Sequence, residues 1–229
     1  MQIVPVNYNK QNNSFGHNHH FMDNDYSKGQ KVIVAATTAL GVAVSSAILA
    51  KKAGYSLKPS KMFKNIKNSY LAKVEFHDKE VISLGTGSCL GGLAGGYMID
   101  NNPHNRRSKN REAVMQIGNI SIPIITVEQF AKFGEKYGKI QKGIAAVAGI
   151  FVGVYFANFL MNKVSNLIFQ NKSDERDVKA TDFSAHLDDM VVAASCISDN
   201  KYVQGIARII PVALMIPGFE VGTKKSGNH

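Results

Sequence analysis

An all-helical bundle embedded in a membrane is the fold class this sequence predicts, and three observations predict it. Gly85 to Asp100 holds six glycines in sixteen residues, with Gly87, Gly91 and Gly95 in one four-residue series and Ser88, Gly92 and Gly96 in the next. Val32 to Ala50 runs nineteen residues without a charge. Gly143 to Phe169 opens with a second long apolar run, and within it Ala145, Gly149, Gly153 and Ala157 repeat the four-residue spacing. At about 3.6 residues per turn, each series lines one helix face with small side chains. Glycine costs roughly 1 kcal/mol per residue in a water-exposed helix. In lipid the backbone bonds are locked internally, and a groove of small residues lets a second helix approach closely.

Composition frames this reading. The chain has 229 residues and a net charge of +10, which suits one bundle with tails and attracts anionic partners. Its mean hydropathy of −0.10 averages polar tails and loops with nearly uncharged runs. Cys89 and Cys196 lie far apart in apolar runs, so no disulfide framework is expected. No Walker lysine and no GxSxG elbow is present. Gly85, Gly87 and Gly91 form a GxGxxxG pattern, but no strand ending in an acid follows at dinucleotide-fold spacing.

In order, residues 1–30 are Asn-rich, carry His17, His19 and His20, and read as a disordered tail. Residues 31–220 form the expected membrane domain, with apolar segments at about 32–50, 81–99, 113–127, 143–161 and 190–218, the last interrupted; 221–229 is a polar tail. Val32–Ala50, flanked by Lys31 and Lys51–Lys52, has the length of a bilayer span. An uncleaved anchor is favoured over a signal peptide, whose n-region would be unusually long.

Lys51 to Glu80 carries eight lysines against three acids, and Ser60 can cap a basic amphipathic helix in it. An in-plane helix on an anionic leaflet and a solvated face packed on the protein itself fit this stretch equally. Asp100–Glu112 reads as a basic loop, Ala113–Val127 as a short segment kinked at Pro123, and Phe130–Tyr137 as a separate amphipathic piece. The Gly149 and Gly153 row is expected to pair with the glycine-rich helix. Beside it Asn158, Asn162 and Asn166 form a polar ladder, the last two favoured at the headgroups. Residues 184–198 and 203–215 are the expected helices of the last segment.

Three basic stretches, at 51–80, 100–112 and 128–142, conflict with a simple up-down count under the positive-inside rule. The favoured resolution keeps 32–50 and 143–161 as full spans and lets the two middle segments re-enter.

Function is expected at the level of class. The leading expectation is a non-enzymatic structural, scaffolding or membrane-organising protein that packs through its glycine rows, with the lipid bilayer and a second copy of itself as partners. Nucleic acid is not an expected partner, because no recognition motif accompanies the charge. No cofactor is expected. A small transporter or channel is the alternative, with Asn158, Asp189 and Arg208 along its path. A membrane-embedded enzyme using His186 and Asp189 is a further one. His186, Asp189 and Cys196 share a face of a continuous helix, where they could ligate a metal; capping and core packing explain them as well.

Overall fold

The computed structural model describes residues 26–55, 78–170, 175–186, 190 and 210–226. The histidine tract, the Ser60-capped basic segment, Asp189, Cys196 and Arg208 lie outside the described residues. The described secondary structure is helical: α1 (Lys28–Lys52), α2 (Asp78–Ile99), α3 (Pro103–Glu135), α4 (Lys139–Phe169), a 3-10 helix at Ala180–His186, α5 (Ile210–Ala213) and α6 (Met215–Thr223). Two of them, α1 and α4, are long and apolar enough to cross a membrane.

α1 begins earlier than residue 31, because Ser27 and Gln30 form a reciprocal capping box. The chain then runs up and down. Gln30 Nε2 donates to the Ile99 carbonyl at 3.2 Å, and Gly87 lies beside Gly41 and Ser45, so α1 and α2 are antiparallel. α3 and α4 are antiparallel too, tied by Arg111 to Asn166 at 2.9 Å and by Thr126 Oγ1 to the Gly149 carbonyl at 3.0 Å.

α2 is the central helix, with α1, α3 and α6 all against it. Its two small-residue rows face different neighbours. A Cβ placed on Gly91 would lie 3.1 Å from Gly41 Cα, and one on Gly95 would lie 3.0 Å from Val34 Cα, both on α1. On the adjacent row, a Cβ on Gly92 would sit 3.0 Å from Gly218 Cα, and one on Gly96 3.0 Å from Gly222 Cα, both on α6. Gly149 and Gly153 do not face α2. Cβ atoms there would come within 2.9 Å of Val127 Cα and 2.6 Å of Pro123 Cα on α3, which corrects the expected pairing.

The region 100–137 departs furthest from expectation. Instead of a basic loop, a short span and a separate piece, one helix of 33 residues runs through it. Asn102 caps its start by accepting from the His104 N–H, and Pro103 occupies the first turn, where its missing N–H costs nothing. Arg, Lys and Glu are strong helix formers, so the basic stretch extends the helix. At 22 residues, α2 is about 33 Å long. The two helices apolar enough to cross a membrane, α1 and α4, cover the expected full spans 32–50 and 143–161. The basic stretch at 100–112 also lies at the opposite end of the bundle from 51–55 and 128–142.

After α4 the chain turns back against the bundle. Asn158 and Asn162 of α4 both donate to the Arg176 carbonyl, at 2.8 and 2.9 Å. Asn158 is about 16 Å from the end of α4, so residues 175–186 lie alongside it, and Phe183 stacks on Phe151 with ring centroids 5.2 Å apart. Of the expected helix at 184–198, residues 184–186 belong to a 3-10 helix that starts at Ala180, and Met190 is α-helical. Of the expected helix at 203–215, the described residues form α5 and the start of α6, and the helix runs on past residue 220 because Pro217 falls in the first turn of α6 and does not break it.

Candidate functional site: a buried charge cluster

Four polar residues of α3 share one face at spacings of three, four and three: Lys109, Glu112, Gln116 and Asn119. Each is at most 2% exposed. Charged groups so deeply buried persist only when paired and hydrogen-bonded, and the C-terminal segments supply their partners.

Arg176 is the hub. Its Nη1 and Nη2 donate to both carboxylate oxygens of Asp182, at 2.8 and 2.5 Å, and its Nε donates to Glu112 Oε1 at 2.8 Å. The planar guanidinium suits such forked binding, which a lysine could not reproduce. Glu220 from α6 closes the cluster: its Oε2 accepts from Gln116 at 2.7 Å and its Oε1 from Thr181 at 2.7 Å. Gln116 also reaches Glu112 at 3.1 Å. The Arg176 backbone is fixed as firmly, since its N–H donates to Asn162 Oδ1 at 3.0 Å. Arg176 thus ties α3, α4, the 3-10 helix and α6 together.

A second knot lies one turn along α3. Lys109 Nζ donates to Tyr26 Oη and to the Lys224 carbonyl, each at 2.6 Å, and lies 3.8 Å from Asp100. Tyr26 in turn donates to Asp100, which also accepts from Asn105 at 2.8 Å. Burial by itself would raise the Asp100 carboxyl, but the donors Tyr26, Asn102 N–H and Asn105, with the Lys109 charge, hold it below its ordinary range. Burial first, then the Asp100 partner, pushes the Tyr26 phenol up.

The sequence-singled residues fall in several places. Gly87, Gly91, Gly95, Gly92, Gly96, Gly149 and Gly153 line helix contacts as described above. Asn158 and Asn162 face inward and hold Arg176, while Asn166 accepts from Arg111. His186 is fully buried, and its Nε2 lies 2.9 Å from the Asn119 carbonyl. A carbonyl oxygen only accepts, so Nε2 carries the proton. Of the proposed metal trio only His186 is described; among the described residues no three His, Cys, Asp or Glu side chains are placed to hold a metal. Arg176, Glu112, Asp182, Glu220 and Lys109 were not singled out from sequence. The 3-4-3 spacing on α3 is the signal the sequence carries, and it is visible only when 100–112 is helical.

Compared with known proteins, the chain matches no protein family, no curated protein and no solved structure.

Proposed function

We propose that this chain is an integral membrane protein with a non-enzymatic structural, scaffolding or membrane-organising role. The observation that carries the membrane reading is the reversed polarity of α4. Its outward face bears Phe151, Tyr155, Phe156 and Phe159, each at least half exposed, while Asn158, Asn162 and Ser165 point inward and are buried. In water this arrangement would leave a broad apolar patch uncovered. In lipid it is the favoured one, because polar groups need protein partners and apolar ones do not. The outward residues Val32, Leu40, Val44 and Ile48 of α1 support the same reading.

On this reading the small-residue rows of α2 act as packing surfaces in lipid, where helices gain little from hydrophobic attraction and depend on close contact. Both rows are occupied within the chain, so a homo-oligomer would form through the outer faces of α1 and α4. Membranes stripped with alkaline carbonate should retain the protein in the pellet; release into the supernatant would overturn the membrane reading.

One observation favours a small transporter or channel as a second reading. Short, broken C-terminal segments meet a buried polar row, an arrangement in which transporters hold substrates. The carboxylates of Glu112, Asp182 and Glu220 each already accept from a fixed donor, which suits a staple better than a moving charge. Ion or solute flux in liposomes of the purified protein would reverse that preference.

A further inference from the structure

We propose that the tip of the α3–α4 hairpin anchors the protein on anionic phospholipid headgroups, an inference that rests on the membrane reading above. The tip is closely packed. A Cβ on Gly134, near the end of α3, would lie 2.7 Å from the Ala145 Cβ of α4, and Gly138 makes the turn at φ 126°, a conformation that favours glycine. This closure leaves Phe133, Tyr137 and Ile140 pointing outward, each more than half exposed, with the Phe133 and Tyr137 rings 5.4 Å apart. Through the exposed Ile144 they continue the outer apolar face of α4 to the end of the bundle.

Lysine spacing sets the depth of the tip. Lys142 and Lys163 on α4 are about 31 Å apart, and Lys31 and Lys51 on α1 about 30 Å, both close to the hydrocarbon thickness of a bilayer. Phe133, Tyr137 and Ile140 therefore stand at the headgroup level, where tyrosine rings and snorkelling lysines collect. Charge then selects the lipid. The tip carries Lys132, Lys136, Lys139 and Lys142 against Glu128 and Glu135, a surplus of two. Lys51, Lys52 and Lys79 stand at the same end against Asp78 and Glu80, which adds one more. Lys136 is exposed and forms no ion pair among the described residues. Lys132 with Glu128 and Lys142 with Glu135 are surface pairs, which hold their charges only weakly. At the opposite end Lys109 and Arg176 are buried on protein partners and face no lipid.

The chain contains no tryptophan, so one introduced into the full-length protein is an unambiguous reporter. In mixed bilayers of phosphatidylcholine and phosphatidylglycerol, bromine is placed on the acyl chains of one lipid at a time and quenching is read. Around Phe133→Trp, phosphatidylglycerol should be enriched about two- to fivefold, the scale of one headgroup-level lysine. Adding Lys132→Gln and Lys136→Gln should bring the enrichment close to one, and molar salt should do the same. Lys28→Gln, exposed at the opposite end, should leave it intact. Phe156→Trp, on the outer face of α4, should be quenched by both lipids without preference. Absence of quenching at Phe156→Trp would overturn the membrane reading and the anchor with it. Quenching there, with none at Phe133→Trp or with no preference for phosphatidylglycerol, would overturn the anchor alone. Equal loss of enrichment in Lys28→Gln and in the double lysine variant would show a diffuse surface charge and overturn the anchor too.

Discussion

His186 donates from Nε2 to the Asn119 carbonyl at 2.9 Å, and Asn119 stands four residues before Pro123. A helix residue donates its N–H to the carbonyl four positions back, and proline has none to give. The imidazole therefore supplies the donor that Pro123 lacks, from a segment 67 residues further along the chain. This is how a proline sits inside the continuous α3. It also assigns His186 a structural task.

The pairing makes a double-mutant prediction. His186→Ala leaves the buried carbonyl unsatisfied and should destabilise the protein by about 1–3 kcal/mol. Pro123→Ala restores the helical N–H, so the double variant should recover much of that loss in a thermal or chemical unfolding assay. Additive losses in the cycle would show that the two residues are not coupled in this way.

Gly91 tests the α1–α2 contact. Even a single Cβ there would lie 3.1 Å from Gly41 Cα and collide with the Thr37 carbonyl, both backbone atoms that cannot rotate away. Gly91→Leu should cost about 1–3 kcal/mol or more, and Gly91→Ala a measurable fraction of that, although both improve helix propensity by up to roughly 1 kcal/mol. Leu93 packs against the core, so the outward Leu90, 56% exposed, is the better control, and Leu90→Ile should be silent. Equal or greater detergent stability of Gly91→Leu would refute the contact.

Arg176 should be the costliest position in the charge cluster. Arg176→Ala strands Glu112 and Asp182, each at most 2% exposed, and removing one partner of a buried pair typically costs about 3–5 kcal/mol. Arg176→Lys keeps the charge but loses the fork, and should be nearly as unstable. Protease resistance of the segment around residues 175–226 would report both.

Topology follows from the antiparallel order of the helices. In sealed vesicles, a cysteine introduced at Asn101 and one at Tyr137, at opposite ends of α3 and both exposed, should be labelled from opposite sides. Labelling from one side would show that α3 does not cross.

Acid should weaken the Tyr26–Asp100–Lys109 knot. The folded-state pKa of Asp100 is depressed, so its contribution is fully present above the unfolded carboxylate value of about 3.9 and is lost as pH falls through the folded value. Asp100→Asn should flatten the stability profile in that acidic window.

The helical class, the long α1 and α4, and the positions of the small-residue rows were legible in the sequence by itself. Each depends on local composition and a 3.6-residue period, which contacts elsewhere do not alter. Even the helical form of 103–112 was within reach, through the Asn102–Pro103 start. Which helix meets each glycine row was not legible. A groove specifies that something small approaches, and Gly218 and Gly222 are ordinary glycines until α6 is laid against Gly92 and Gly96. The charge cluster belongs wholly to the tertiary structure. Arg176 and Asp182 carry no local signal that sets them apart, and Glu112 reads as the end of a basic loop, because a charge's cost and its partner are set by burial and distance. Only the folding of residues 175–186 back against α3 and α4 puts Arg176 beside both carboxylates, and the same path carries His186 to the carbonyl that Pro123 leaves without its helical donor.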